Sequence, residues 1–150
     1  MKVTGTYRFS ASRERVFELL LDPAVLKACI PGCEELVPLG GGRYEAVMKV
    51  GVGAVRGTYK GQVEIADVQA PERYRMRVEG RGGPGFVKGE ATIELKEATD
   101  SETEVVLVGE GQVGGMIAGL AQRLLGGVVN SIMTQFFSCM RQQLDRATDD

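Results

Sequence analysis

Through most of the chain apolar and polar residues alternate with a period of two, and near its end the period changes to 3.6. Residues 2–11 set Val3, Tyr7 and Phe9 against Thr4, Thr6, Arg8 and Ser10, which predicts a first strand. Ser12 is placed to cap a short helix over 13–21, with Val16, Phe17, Leu20 and Leu21 facing inward. Asp22-Pro23 breaks that helix and begins a second short turn carrying Val25 and Leu26, which Pro31-Gly32 ends. Six further strands follow over 35–39, 43–50, 55–68, 73–81, 86–97 and 104–113, separated by glycine-rich or acidic turns. The cleanest alternation sets Tyr74, Met76 and Val78 against Arg73, Arg75, Arg77, Glu79 and Arg81.

The stretch 114–150 organises the rest. Between Glu110 and Arg141 its only charge is Arg123. At helical spacing Ile117, Leu120, Ala121, Leu124, Leu125, Val128 and Ile132 share one face. Past Asn130 the apolar set becomes Met133, Phe136, Phe137, Met140 and Leu144, rotated by roughly 100°. One flat surface cannot take both faces. Either the helix bends near Gly126-Gly127, or its two halves touch different things. A helix of about 30 residues is about 45 Å long, enough to cover a sheet. The expected architecture is therefore α+β in one domain over 1–150: seven antiparallel strands, two short helices after the first, and a long C-terminal helix as the lid.

The inward faces of the strands are rich in glycine: Gly57, Gly61, Gly89, Gly109 and Gly111. Glycine gives a coiled sheet its bend points, and the missing side chains also leave volume under the helix. A cavity there is expected to be lined by Tyr44, Met48, Tyr59, Met76, Leu107, Leu120, Leu124 and Val128. Tyrosine hydroxyls, with Gln112, are the polar groups a ligand could meet.

Composition narrows the chemistry. With 43% hydrophobic and 25% charged residues and a formal charge of -2, the chain is globular and lacks the basic excess that nucleic acid rewards. The absence of histidine removes Ser-His-Asp and Cys-His catalysis and imidazole metal sites. Cys29 and Cys33 are too far apart for thioredoxin-type chemistry, and with Cys139 they leave zinc a ligand short, so they are expected as buried thiols. Three cysteines in a chain starting at Met1-Lys2-Val3 point to a reducing, cytoplasmic compartment. The uncharged window 124–140 holds Asn130, Ser131, Thr134, Gln135 and Ser138, too polar for a membrane span. The glycine loops at Gly51-Val52-Gly53 and Gly82–Gly85 lead into strands, so they offer no helix N-terminus to a phosphate. The arginine row is expected to pair with Glu64, Glu90 or Glu94 on the outer face. No carboxylate pair is expected inside, and no catalytic or metal-binding residue is assigned.

Particular segments are family-specific. Arg13-Glu14-Arg15-Val16-Phe17-Glu18-Leu19-Leu20 with Asp22-Pro23-Ala24-Val25-Leu26, then Cys29-Ile30-Pro31-Gly32-Cys33-Glu34, then residues 48–61, resemble the CoxG family of carbon monoxide dehydrogenase proteins. The resemblance runs from Met1 to about Leu144 and implies a START-like helix-grip (SRPBCC) fold, in which a curved sheet wraps the C-terminal helix. It also implies an accessory protein without a catalytic role of its own. Such a protein would bind a quinone or lipid, with no covalent cofactor, and serve a molybdenum hydroxylase of the carbon monoxide dehydrogenase type. It would act at the inner face of the cytoplasmic membrane, in peripheral contact with it.

Two other readings are consistent with the residues. An enzyme of the same fold, a cyclase, isomerase or hydrolase on a hydrophobic substrate, needs a perturbed acid or base facing the cavity. A pure docking module for a protein or membrane needs Met133, Phe136, Phe137 and Met140 exposed.

Overall fold

A computed structural model of the protein describes residues 1–51 and 53–149. Val52, inside the expected glycine turn, and Asp150, the expected end of the long helix, lie outside the described residues.

Seven strands form one antiparallel sheet: β1 (Lys2–Phe9), β2 (Cys33–Gly40), β3 (Arg43–Val50), β4 (Gly57–Gln69), β5 (Arg73–Gly82), β6 (Gly85–Thr99) and β7 (Glu102–Gly114). Their order is β1-β7-β6-β5-β4-β3-β2, so consecutive strands from β2 to β7 are neighbours and β1 closes onto the last. The two sheet edges are joined through α1 (Arg13–Leu21) and α2 (Pro23–Cys29). Ser12 accepts from the Arg15 amide at the start of α1, and Asp22 accepts from the Ala24 amide at 2.9 Å with Pro23 opening α2. Such caps satisfy amides that have no partner inside the helix.

The long helix is shorter than the sequence pattern predicts. The chain leaves β7 through a 3-10 turn at Gly115–Gly119, and α3 runs Gln122–Asp149. Ile117 and Leu120 therefore belong to the connection and not to α3. Likewise Val55, expected at the start of a strand, sits in a 3-10 turn, Gly53–Val55, before β4 begins at Gly57.

The expected division of α3 is present. Its apolar residues recur at spacings of three and mostly four, so the stripe drifts around the helix axis. The later set, Phe137, Met140 and Leu144, is buried in the main core with Phe9, Val16, Phe17, Leu20, Tyr74, Ile93, Leu95, Val105 and Leu107, and Met133 and Phe136 pack against it. Phe137 stacks on Tyr7, ring centroids 3.8 Å apart, and Phe136 meets Phe137 edge-on. The docking-module reading of this stripe is thereby corrected. Phe137 is 2% exposed and Met140 0%, because the inner ends of β1, α1 and α2 need a hydrophobic partner and this face of α3 supplies it.

Two further contacts fix the C-terminal half of α3. Arg141 donates from Nε to the Arg8 carbonyl at 3.1 Å and lies over the Phe9 ring. Cys139 forms a disulfide with Cys29 of α2, their Cα atoms 5.3 Å apart. The expectation of three free thiols is corrected: only Cys33 is free. Chain positions 110 residues apart become neighbours through helix packing, which no cysteine spacing reveals.

The arginine row lies outward as expected. Arg77 reaches Glu64 at 3.2 Å and Glu90 at 3.7 Å, and Arg75 engages Asp67 and Glu90. Inside, Thr103 is the one buried polar side chain among the described residues, and it donates to the Ala11 carbonyl at 2.8 Å.

Candidate functional site

Between the concave face of the sheet and the N-terminal half of α3 lies a cavity of about 270 Å³. From the sheet, Ala46, Met48 and Val50 of β3, Tyr59 and Val63 of β4, Val78 and Gly80 of β5, Val87 of β6 and Val113 of β7 face it. From the helix come Leu125, Val128, Val129 and Ile132, spaced three and four apart on one side of α3.

Glycine does two separate things in this wall. At Gly61 a Cβ would collide with the Glu79 carbonyl, so the close approach of β4 to β5 requires glycine there. At Gly80 a Cβ would meet only a methyl of Val87 at 3.5 Å, so its missing side chain is open volume. Of the inward glycines the sequence points to, Gly61 lines the cavity, whereas Gly89 and Gly109 are crowded by Val78 and by Ala91.

One end of the cavity is closed by a small cluster apart from the main core. Val55 of the first 3-10 turn, Ile117 of the second and Leu125 of α3 are buried together, with Val50, Val113, Leu120 and Val128 against them. This gate is assembled from short segments. The Ile117 amide donates to the Pro84 carbonyl at 3.0 Å, which ties the second 3-10 turn to the β5–β6 turn. Tyr59 reaches up from β4, and its hydroxyl donates to the Val55 carbonyl at 2.7 Å.

The chemistry of the lining is hydrocarbon. The Tyr59 hydroxyl is committed to Val55, and burial pushes its pKa above the usual phenol value. Glu79 and Lys60 touch the cavity edge from strand positions whose side chains point outward, and Glu79 is paired with Lys88 at 3.6 Å. Among the described residues that line the cavity no other is acidic, and the described residues contain no cluster of three or more His, Cys, Asp or Glu that could hold a metal. An apolar molecule would be held by burial, with nothing there to protonate or attack it.

Of the eight residues expected to line the cavity, Met48, Tyr59 and Val128 do so. Leu120 packs on the gate. Met76 and Leu107 lie on the expected inner face but further along their strands, in the main core, and Tyr44 is half-buried outside the lining. Leu124 is corrected most sharply: it is 62% exposed, because α3 starts later than expected and its neighbour Leu125 takes the inward position. Sequence reasoning missed Ala46, Val50, Val78, Gly80, Val87 and Val113. Each shares an inward alternation phase with its strand's other inner residues, and that is the signal that could have found it.

The family model of CoxG, a carbon monoxide dehydrogenase component, matches residues 5–145. The sequence matches no curated protein. Among solved structures, a conserved protein from Geobacillus kaustophilus is similar at 33% identity and TM-score 0.95, over 98% of this chain and 97% of that one. A START superfamily protein from Mycobacterium smegmatis has TM-score 0.76 at 8% identity, over 97% of this chain and 98% of that one. The Zhui aromatase/cyclase from Streptomyces sp. R1128 has TM-score 0.73 at 17% identity, over 99% and 95%. The last two share the fold alone, which is the helix-grip arrangement expected from the sequence.

Proposed function

The chain belongs to the CoxG family of carbon monoxide dehydrogenase proteins, and from that premise we propose that it is a non-catalytic carrier of a hydrophobic ligand, a quinone or a lipid. In this reading it serves a molybdenum hydroxylase of the carbon monoxide dehydrogenase type and brings it to the cytoplasmic membrane. The observation that carries the proposal is the cavity of about 270 Å³ with an apolar lining and a tyrosine whose hydroxyl is already engaged.

The volume lies near the lower end of small-molecule sites, roughly 300–1,000 Å³. It suits one ring system or one folded chain, with the rest of a longer ligand leaving through the gate. A ligand's polar group finds no partner deep inside, so it sits at the gate. The likeness to an aromatase/cyclase keeps a catalytic reading in view, yet catalysis would need an acid or base among the lining residues.

Equilibrium dialysis against a short-tailed benzoquinone or naphthoquinone tests the ligand. Saturable binding with a negative heat-capacity change is expected. The partner is tested by gentle purification of the protein from its own cells, where a molybdenum hydroxylase should co-purify. Absence of saturable binding to any quinone or lipid offered would reject the carrier reading.

A further inference from the structure

We propose that the gate end of the cavity is a docking surface for an anionic lipid bilayer. Two of the three buried gate residues have an exposed apolar neighbour in the chain. Ile117 is 3% exposed and Met116 81%; Leu125 is 7% exposed and Leu124 62%. The same short segments thus close an apolar cavity with one face and present hydrocarbon to the outside with the other. Phe86, at the foot of the β5–β6 turn that holds Ile117, is exposed as well, with the Arg81 guanidinium 5.4 Å from its ring centroid.

Charge selects the occupant. The chain as a whole carries -2, yet residues 46–63, 80–89 and 111–140, which build this end, contain no Asp or Glu. They carry Lys49, Arg56, Lys60, Arg81, Lys88 and Arg123. Among the described residues only Lys88 of these six has an ion-pair partner, Glu79. Lys60 and Arg81 stand directly opposite each other on β4 and β5, a like-charged pair that favours an anionic surface over water. The carboxylates that border these stretches, Glu45, Glu64, Glu79, Glu90 and Glu110, lie further from the gate along their strands. Separate apolar side chains projecting among unpaired cations suit an interface of acyl chains beneath anionic headgroups.

The proposal deepens the carrier reading, on which it rests for its purpose: a ligand leaving the cavity would enter the bilayer without crossing water. Its geometry stands independently. The chain contains no tryptophan, so Met116→Trp introduces a single reporter on an exposed side chain, and Val68→Trp, at the opposite end of β4, is the matched control. Both are read by emission with vesicles of phosphatidylcholine alone and of phosphatidylcholine with phosphatidylglycerol. A blue shift for Met116→Trp on the anionic vesicles, absent for Val68→Trp, is expected. Replacing Arg56, Lys60 and Arg81 by Gln in the reporter background should weaken vesicle affinity by about fivefold per cation, and added salt should weaken it likewise.

No shift on anionic vesicles, or an equal shift at both positions, overturns the proposal. So does a shift produced by the purified molybdenum hydroxylase and not by vesicles, which would make the face a protein interface. Dialysis against the quinone on the same samples separates the two ideas. Quinone binding without vesicle docking rejects the surface and leaves the carrier; docking without quinone binding supports the surface and rejects the carrier.

Discussion

The Tyr59 hydroxyl donates to the Val55 carbonyl at 2.7 Å, four residues back in the chain, so a side chain in the cavity wall also holds the gate shut. Tyr59→Phe keeps the ring and removes the bond. A buried carbonyl left without a donor costs about 1–3 kcal/mol. The expected result is a small fall in thermal stability with a larger rise in the rate at which a bound quinone leaves, measured by stopped-flow displacement. An unchanged off-rate would mean that the 3-10 turn at Gly53–Val55 does not gate the cavity.

Two apolar residues of α3 should respond very differently to truncation. Phe137→Ala removes a ring stacked on Tyr7 and buried in the main core, an expected loss of about 3–5 kcal/mol. Leu124→Ala, on an exposed side chain, should change stability by about 0.5 kcal/mol or less. Urea denaturation of both variants checks the pair.

That contrast marks where the sequence is legible. Alternation tells which face of each strand turns inward, and the face assignments of Met76, Leu107, Met48 and Tyr59 hold. It cannot tell depth along a strand, so it assigns Met76 and Leu107 to a cavity that ends before them. The drift of the apolar stripe around α3 is visible, and it separates cavity from core. Its phase at the start is not, because the glycines between 114 and 119 belong to a 3-10 turn and its entry, which no periodicity of 3.6 describes. The Cys29–Cys139 pair is hidden for a related reason: contact between α2 and α3 is a property of tertiary packing, whereas the cysteines close in sequence are Cys29 and Cys33.

Stability should fall steeply in strong alkali. Tyr74 is buried, and desolvation holds its phenol well above the usual value of 10.0. Below that value the phenol is neutral in both folded and unfolded chains, so it adds no pH dependence there. Above about 10 the unfolded chain releases a proton that the folded one keeps, and stability is lost as pH rises. Tyr74→Phe should flatten that part of the profile in denaturant titrations between neutral and alkaline pH.

The disulfide joins positions 110 residues apart, and in the chain-entropy picture its loss costs about 2–5 kcal/mol. Protein purified without reductant should titrate one thiol per unfolded chain, Cys33, and three after reduction. Cys139→Ser should bring the oxidised protein to the stability of the reduced one. Three thiols without reductant would mean that Cys29 and Cys139 are neighbours but not bonded.

The central claim is that the cavity carries a ligand, and Gly80→Leu tests it most directly. Its side chain would enter open volume beside Val87 with no backbone in the way. Wild type and variant, purified gently from the native cells, are extracted with organic solvent and the extracts compared by mass spectrometry. The account predicts a stoichiometric quinone or lipid in the wild type and little or none in a folded variant. A wild type that carries nothing, or a filled variant that carries as much as the wild type, would contradict it.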